Sequence, residues 1–433
     1  MSTAQAPLSR GASQPTPGAV THSPSLARPP ARPGRNRRAS YAAGFWFVAT
    51  AFAVLMAFGT VPTPLWQLYA ARDHFGATMV TVAYASMVVG AVGAFLGLGH
   101  LSDRLGRRRV VAPALAIGIV ASVVLITWQS LPGLIVGRVL TGLAMGTMAS
   151  TATTYLHDLH RRARPEQAGS PLPGIVATAA NLGGLAAGPL VAGIVAEWLP
   201  VPLTIAPALC SVALTVCLLL VLATPETVDR TPRTSRPAAR FALRPGSGVA
   251  FGAAGMLGAI AFANFGLTSA LGAKVLQDTL RIDSHLVAGV AVFLMFASAA
   301  AAQLVLGRLP LPRLLRLGCL AFPAGLALCA LSLNHPALWL YLVAVSLSGA
   351  GSGLLFKGAI DRAMSAAAPD SRAGVLAVYF VIAYIGIGVP AIIFGIAIDH
   401  IGIEAAMIGF ASALSLGAAV STAVASHHRN KKA

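Results

Sequence analysis

One charged residue interrupts an otherwise apolar stretch of this sequence. Arg138 stands in LIVGRVLTGLAMG, and Gly142 follows it by one helical turn. An arginine inside a membrane costs at least ~2.5–3.5 kcal/mol on insertion scales, so we expect it to have an acceptor and a function. The structural alternative is snorkelling to the membrane surface, because Arg138 is about 10 Å along the helix from Leu131. A guanidinium here would bind an anionic group, and Gly142 would let a neighbouring helix approach closely.

A short polar segment, GHLSDRLGRRR, combines one acid with several arginines. Asp103 follows a predicted helix and lies next to the negative end of its dipole, so it needs Arg104, Arg107 or another helix N-terminus as a partner. Gly99 and Gly106 suit close packing and a left-handed turn. A simple charged anchor loop would need the arginines but neither Asp103 nor the glycines.

A third segment, GLAAGPLVAG, is built from small residues and a proline. Gly184 and Gly188 are one turn apart and form a flat face for helix packing, and Gly193 extends the small-residue pattern. Pro189 removes a backbone hydrogen bond and kinks the helix. These residues predict a packing and hinge site.

Other polar and aromatic residues within the apolar stretches are candidate solute contacts. They are Trp46, Gln67, Tyr84, Asn181, Asn264, Gln303 and Tyr384. Each could instead join helices or lie at the membrane interface. His157 and His160 could be taken for metal ligands, but flanking arginines and the lack of further ligands favour a solvated loop, so we predict no metal and no cofactor.

The composition indicates that lipid surrounds most of these residues. Of the 433 residues, 56% are hydrophobic and 10% are charged, whereas soluble domains carry about 25% charged residues. So few charges cannot cover a water-facing surface, which excludes an ordinary soluble protein. The net charge of +18 does not indicate a nucleic-acid partner, because the cations form short clusters between apolar runs.

Twelve apolar runs have about the length that a membrane-spanning helix needs, and they predict an all-α membrane protein. They lie near 42–66, 78–101, 110–128, 131–156, 172–197, 203–224, 247–271, 286–307, 317–334, 337–359, 374–399 and 404–425. The polar stretch between the sixth and seventh spans divides them into two halves of six. The predicted organisation is a disordered Arg/Pro-rich tail (1–40), a first half (41–224), a linker (225–245), a second half (246–426) and a C-terminal tail (427–433).

The distribution of cations predicts the orientation. Almost all of the 31 lysines and arginines flank the spans on the side that carries both termini, which predicts cytoplasmic termini and a multi-pass protein of the plasma membrane. The acidic residues lie in loops or at span ends. Without a carboxylate in the middle of the first, fourth or seventh span, a proton relay would fall to Asp103, Asp361 or His100.

The segment GHLSDRLGRRR, between the second and third spans, resembles the signature loop of the major facilitator superfamily. The resemblance covers residues 41–426. It implies two pseudo-symmetric six-helix bundles around a central cavity that work by alternating access. It also implies that Asp103 contacts Arg107 and the start of the eleventh helix, stabilising an outward-facing state.

Two further segments are similar to motifs of that superfamily. Arg138 and Gly142 match the helix-4 motif, in which the arginine takes part in proton or substrate coupling. The segment from Gly184 to Gly193 is similar to the fifth-helix pattern of proton-linked exporters, with Ala192 in place of one glycine. The resemblance therefore implies a gating role for this hinge helix and favours export.

We accordingly expect a monomeric secondary transporter, not an enzyme, that moves small organic solutes through a lipid bilayer. Proton-coupled efflux of amphipathic compounds is the leading hypothesis. A proton symporter or uniporter that imports a metabolite or nutrient is the alternative. A non-transporting receptor or an intramembrane enzyme is a remote alternative, because the spans contain no catalytic constellation such as His-Glu-x-x-His.

Overall fold

The computed structural model describes residues 39–97, 105–228 and 241–430, with side chains as far as Ala425. Within these residues, twelve helices are long and apolar enough to cross a membrane, as the sequence predicted. In chain order they are α1 (Tyr41–Thr60), α2 (Ala77–Gly97), α3 (Arg108–Thr127), α4 (Leu131–Ala163), α5 (Leu172–Trp198), α6 (Pro202–Ala223), α7 (Gly248–Asp278), α8 (His285–Leu306), α9 (Leu311–Asn334), α10 (Leu338–Ala366), α11 (Arg372–Ile401) and α12 (Ile403–Asn430).

The first span continues beyond α1 after an interruption. Pro62 and Pro64 lack backbone donors, so the regular helix gives way to a 3₁₀ turn, Thr63–Leu65, before a short helix, Trp66–Asp73. We call this short helix the α1 extension. It turns large aromatic side chains into the protein interior.

Helices α1–α6 and α7–α12 form the two halves of an all-α fold. In the first half α4 packs against α1, α2 and α3, and in the second half α10 packs against the equivalent α7, α8 and α9. The two halves meet mainly where α2 packs against α11 and where α5 packs against α8. We call the face that carries Tyr41 the terminal face, and the other face the opposite face.

Several helices extend further than the apolar runs predicted, among them α4 and α10. Helix α4 continues to Ala163, so His157 and His160 lie on a helix and not in a loop, and His160 is buried against the Phe45 ring, 5.7 Å away between centroids. Helix α10 continues to Ala366 and includes Lys357 and Asp361. Charged and polar residues can extend a helix where it leaves the hydrocarbon, and hydropathy does not report this.

The described ends of the predicted linker are attached to helix ends. Residues 225–228 lie against the terminal-face ends of α3 and α4, where the Tyr155 hydroxyl donates to the Pro225 carbonyl at 2.7 Å. Leu243 forms an antiparallel bridge with Ala367, just after α10. The predicted N-terminal tail falls almost wholly outside the described residues, and α12 continues to Asn430, into the predicted C-terminal tail.

Candidate functional site

Arg138 is buried in the first half, with 1% of its surface exposed. Its Nη1 donates to the Gly59 carbonyl at 2.7 Å, and its Nη2 contacts the Met87 sulfur at 3.0 Å. The guanidinium carbon lies 5.9 Å from the centre of the Trp66 ring and 5.6 Å from that of Tyr84, within range of a cation–π interaction. Snorkelling is therefore wrong: Arg138 points into the helix bundle.

The site around Arg138 contains hydrogen-bond donors without acceptors. Arg138 Nε and Trp66 Nε1 are both buried and have no partner among the described residues. The groups that Arg138 contacts are a carbonyl, a thioether and two rings, so its contacts in the described structure include no carboxylate. A buried cation in this state favours any additional acceptor, above all an anion.

Gly142 holds α2 close to this site. A Cβ at position 142 would meet the Met87 carbonyl group far closer than real Cβ atoms approach other atoms, and would also meet the backbone nitrogen of Ala91. The close approach predicted for Gly142 thus lies between α4 and the stretch of α2 that supplies Met87 to Arg138. Gly90 of α2 contributes to the same close approach, since an added Cβ there would meet the backbone of Val139 on α4.

The predicted aromatic contacts Tyr84 and Tyr384 lie in the buried interior. Tyr84 lies beside both Arg138 and the Trp66 ring, with 6.2 Å between the two ring centres. Tyr384 belongs to a cluster that joins the two halves, 5.3 Å from Phe95 of α2 and 5.5 Å from Phe262 of α7. An aromatic interior of this kind suits amphipathic solutes.

Three of the predicted solute contacts are half-buried. Gln67 lies on the α1 extension, Asn181 on α5 and Gln303 on α8. The Gln303 amide nitrogen is buried with no partner among the described residues, so it keeps a free donor. Nothing in the geometry brings these three amides together.

Two predicted contacts are placed elsewhere. Asn264 is fully buried between α7 and α10, where its amide donates to Ser352 at 3.0 Å and to Ser348 at 3.4 Å, so it joins helices. Trp46 is 57% exposed near the terminal-face end of α1 and packs edge-on against Phe45. Sequence alone did not distinguish a helix-joining amide or an exposed ring from a solute contact, because the helices are apolar on every side.

The small residues of α5 divide between two neighbours. Cβ atoms at Gly184 and Gly188 would meet the backbone of α1, at Ala53 and Ala57 respectively. One at Gly193 would meet the backbone of α8, including Gly289 at 3.3 Å. The segment therefore packs α5 within its own half and, after Pro189, against the other half.

Helix α11 repeats this arrangement in the second half. A Cβ at Gly386 would meet the backbone of Ala259 on α7, within the same half. Cβ atoms at Gly388 and Gly395 would meet α2 of the first half, at Ala85 and at Thr81. The similarity between the fifth and eleventh spans corresponds to equivalent packing.

The described part of the signature loop is held by a residue that the sequence analysis missed. The Glu226 carboxylate accepts from the backbone nitrogens of Arg107 at 2.8 Å and Arg108 at 3.1 Å, and thereby caps α3. Gly106 has φ +107, and a Cβ there would lie 2.5 Å from a Glu226 oxygen, so this position requires glycine. An acid directly after the sixth span was the available signal.

Arg107 pairs with an acid at the end of α4. Its Nε lies 3.3 Å from an oxygen of Asp158. The predicted partner Asp103, together with Arg104 and Gly99, lies outside the described residues. The contact implied between Asp103 and the start of α11 therefore stays a prediction.

Lys357 and Asp361 of α10 form a pair that the sequence analysis also missed. The Lys357 Nζ lies 2.7 Å and 2.9 Å from the two Asp361 oxygens, one turn apart. A lysine and an aspartate at i and i+4, overlapping the end of a predicted span, were the signal that could have revealed the pair.

Known proteins share this architecture. A sequence profile of the Major Facilitator Superfamily matches residues 47–391. The glucose transporter GlcP of Staphylococcus epidermidis is 36% identical over 78 residues, a stretch that covers 18% of this chain and only 18% of that transporter. The human organic anion transporter MFSD10 is 16% identical with a TM-score of 0.65, over 89% of this chain and 100% of that one. The nucleoside transporter NupG is 15% identical with a TM-score of 0.64, over 89% and 99%.

The fold and the profile point to the same conclusion. The profile covers most of the chain, and the described residues carry twelve spanning helices in two equivalent halves. Solved structures with the same fold are transporters by name, including the POT family transporter PepTSo at 11% identity and a TM-score of 0.68, over 88% of this chain and 97% of that one. This chain is a multi-pass transporter, not an enzyme, and it belongs to the major facilitator superfamily.

Proposed function

We propose that this transporter exports small amphipathic solutes, preferably anionic ones, in exchange for protons. The observation that carries the proposal is Arg138, a buried cation whose described contacts include no carboxylate and whose Nε has no acceptor in the described part of the chain. We further propose a monomer in the plasma membrane with both termini in the cytoplasm, because most lysines and arginines among the described residues lie on the terminal face.

The chemistry around Arg138 supports the solute class. A carboxylate or other acceptor group of a solute would satisfy Arg138 Nε and Trp66 Nε1, which have no partner among the described residues. The rings of Trp66, Tyr84 and Tyr384 would contact its apolar part. That a protein of the same fold is named an organic anion transporter agrees with this class.

Export is supported by the packing of α5. The small-residue pattern resembles that of proton-linked exporters, and here it packs α5 closely against two helices. Gly184 and Gly188 lie against α1, and Gly193 lies against α8 of the other half. A shift of α5 at Pro189 would change both contacts at once. We therefore assign these residues, with Gly106 and Arg107 of the signature loop, to gating.

Protons are the proposed coupling ion because Arg138 and Gly142 match the coupling motif of helix 4. Asp361, a proton-relay candidate from the sequence, lies on α10 and forms an ion pair with Lys357, which a proton on Asp361 would release. Import of a metabolite or nutrient is the second candidate, and the stretch shared with the glucose transporter GlcP favours a nutrient as the solute.

The test is accumulation of a panel of amphipathic anions in cells that make the wild type, Arg138→Ala, Arg138→Lys or the exposed control Arg308→Ala. Export predicts lower accumulation in wild-type and Arg308→Ala cells than in empty cells, with the difference lost in Arg138→Ala and with a protonophore. Arg138→Lys keeps a charge but loses the forked contacts to Gly59 and Met87, so we expect partial activity.

Two other results would reverse the proposed direction of transport or contradict the proposed solute class. Higher accumulation in wild-type cells would establish import. Equal accumulation in wild-type, Arg138→Ala and empty cells would contradict the proposed solute class. An impermeant reagent that reaches a tag at either terminus in intact cells would contradict the proposed orientation.

A further inference from the structure

Glu197 lies where the two halves meet on the opposite face. It stands in the last turn of α5, and its Oε2 accepts from the Ser284 hydroxyl at 3.1 Å and from the Leu286 backbone nitrogen at 3.2 Å. Both donors belong to the start of α8, in the other half. Glu197 therefore caps a helix of the half to which it does not belong.

Asp399 makes the equivalent contact, also on the opposite face, at the second junction between the two halves. It stands near the end of α11, and its Oδ2 accepts from the Thr78 hydroxyl at 2.6 Å and from the Thr78 backbone nitrogen at 3.2 Å. Thr78 lies in the first turn of α2. Here a carboxylate of the second half caps a helix of the first.

The two contacts correspond to each other in the pseudo-symmetric fold. Helices α5 and α11 occupy equivalent positions, as do α8 and α2, so each half supplies one carboxylate and one helix N-terminus. One helical turn before each carboxylate, a glycine allows close packing: Gly193 packs against the start of α8, and Gly395 packs against Thr81 of α2. These close approaches bring the carboxylates within reach of the N-termini.

Both contacts are favourable only while the opposite face is closed. A carboxylate at a helix N-terminus is stabilised by unpaired backbone N–H groups and by the helix dipole. When the halves separate on this face, each carboxylate loses its cap and each N-terminus loses its acceptor. The contacts therefore favour the closed arrangement over the open one.

We propose that Glu197 and Asp399 are gating residues that hold the opposite face closed. We call them, with their partners Thr78, Ser284 and Leu286, the outer latch. The outer latch rests on transport by alternating access, and it is independent of the proposed solute, direction and coupling ion. Each carboxylate acts through the position of the opposing helix and does not contact the solute.

The test is a distance measurement between spin labels at Val201→Cys and His335→Cys, in a background where the four native cysteines are alanine. Both sites are exposed loop positions on the opposite face, one in each half. For Glu197→Ala/Asp399→Ala we expect a new, longer distance and a closed-to-open ratio lowered about tenfold, which corresponds to about 1.4 kcal/mol. The protein is labelled as the full chain in lipid nanodiscs.

A matched acid and a milder variant make the result decisive. Glu404→Gln removes an exposed acid on the same face that lies at the start of its own helix, α12, and it should leave the distances unchanged. Thr78→Val removes one hydroxyl donor, leaves every carboxylate in place and should give a smaller shift in the same direction. An unchanged distance distribution in the double variant, or an equal shift in Glu404→Gln, would overturn the outer latch.

Discussion

Gly142→Ala is the substitution whose effect the structure specifies most closely. The added Cβ would lie 2.8 Å from the Met87 carbonyl carbon and closer still to its oxygen, whereas real Cβ atoms essentially never come within 3.0 Å. The obstacle is backbone, so no side chain can rotate away and α2 must separate from α4. Overpacking of this kind typically costs 1–3 kcal/mol, which the better helix propensity of alanine offsets by up to about 1 kcal/mol.

The expected net loss is about 1–2 kcal/mol, which lowers the folded-to-unfolded ratio roughly 5- to 30-fold. The transport rate should fall by a larger factor than the loss of folded protein explains, because the displaced residue is Met87, whose sulfur contacts the Arg138 guanidinium. The measurements are thermal unfolding of the purified protein and solute transport in proteoliposomes, at matched protein amounts.

The matched control is Gly183→Ala. This glycine is also helical, but a Cβ there meets nothing within 4 Å. Gly183→Ala should unfold at the same temperature as wild type or slightly higher, and it should transport normally. If Gly142→Ala matched Gly183→Ala in both assays, the inferred contact between α2 and α4 would be wrong.

Three further substitutions test other parts of the site. Gly106→Ala should lower the unfolding temperature by the equivalent of about 1–2 kcal/mol or more, because it places a side chain at positive φ and against Glu226; an unchanged unfolding temperature would contradict this. Asn264→Leu should cost about 0.6 kcal/mol of stability for the lost bond to Ser352 and leave the KM for transport unchanged, whereas a raised KM would return Asn264 to the solute site. Trp46→Ala should change stability by no more than about 0.5 kcal/mol and leave transport rates unaltered, and a slower rate would show that this exposed ring contacts solute.

The number of helices followed from the sequence because it depends on long apolar runs, which lipid requires of any spanning helix. The rotation of each helix did not follow, because a helix that is apolar on every side gives no periodic signal. Asn264 illustrates this: its residue type indicates a polar contact, but only the packing of α7 against α10 shows that the partner is a serine.

The burial of Arg138 was predictable because its charge does give a sequence signal. A single charge in an apolar run stands out, and its cost in lipid implies a buried environment. Its partners were not predictable, since the Gly59 carbonyl and the Met87 sulfur carry no sequence signature. The contacts of Glu226 and the pairing of Lys357 with Asp361 were missed because acids in loops or at span ends carry no sequence signal of their partners.

The position of Arg138 in the chain also has a consequence for biogenesis. Its hydrogen-bond and cation–π partners among the described residues come earlier in the sequence: Gly59, Trp66, Tyr84 and Met87 all belong to the first two spans. Because synthesis proceeds from the N-terminus, these spans are complete before α4 leaves the ribosome. The helix that is most costly to insert therefore enters the bilayer after its acceptors have been made, and the order of synthesis favours its integration.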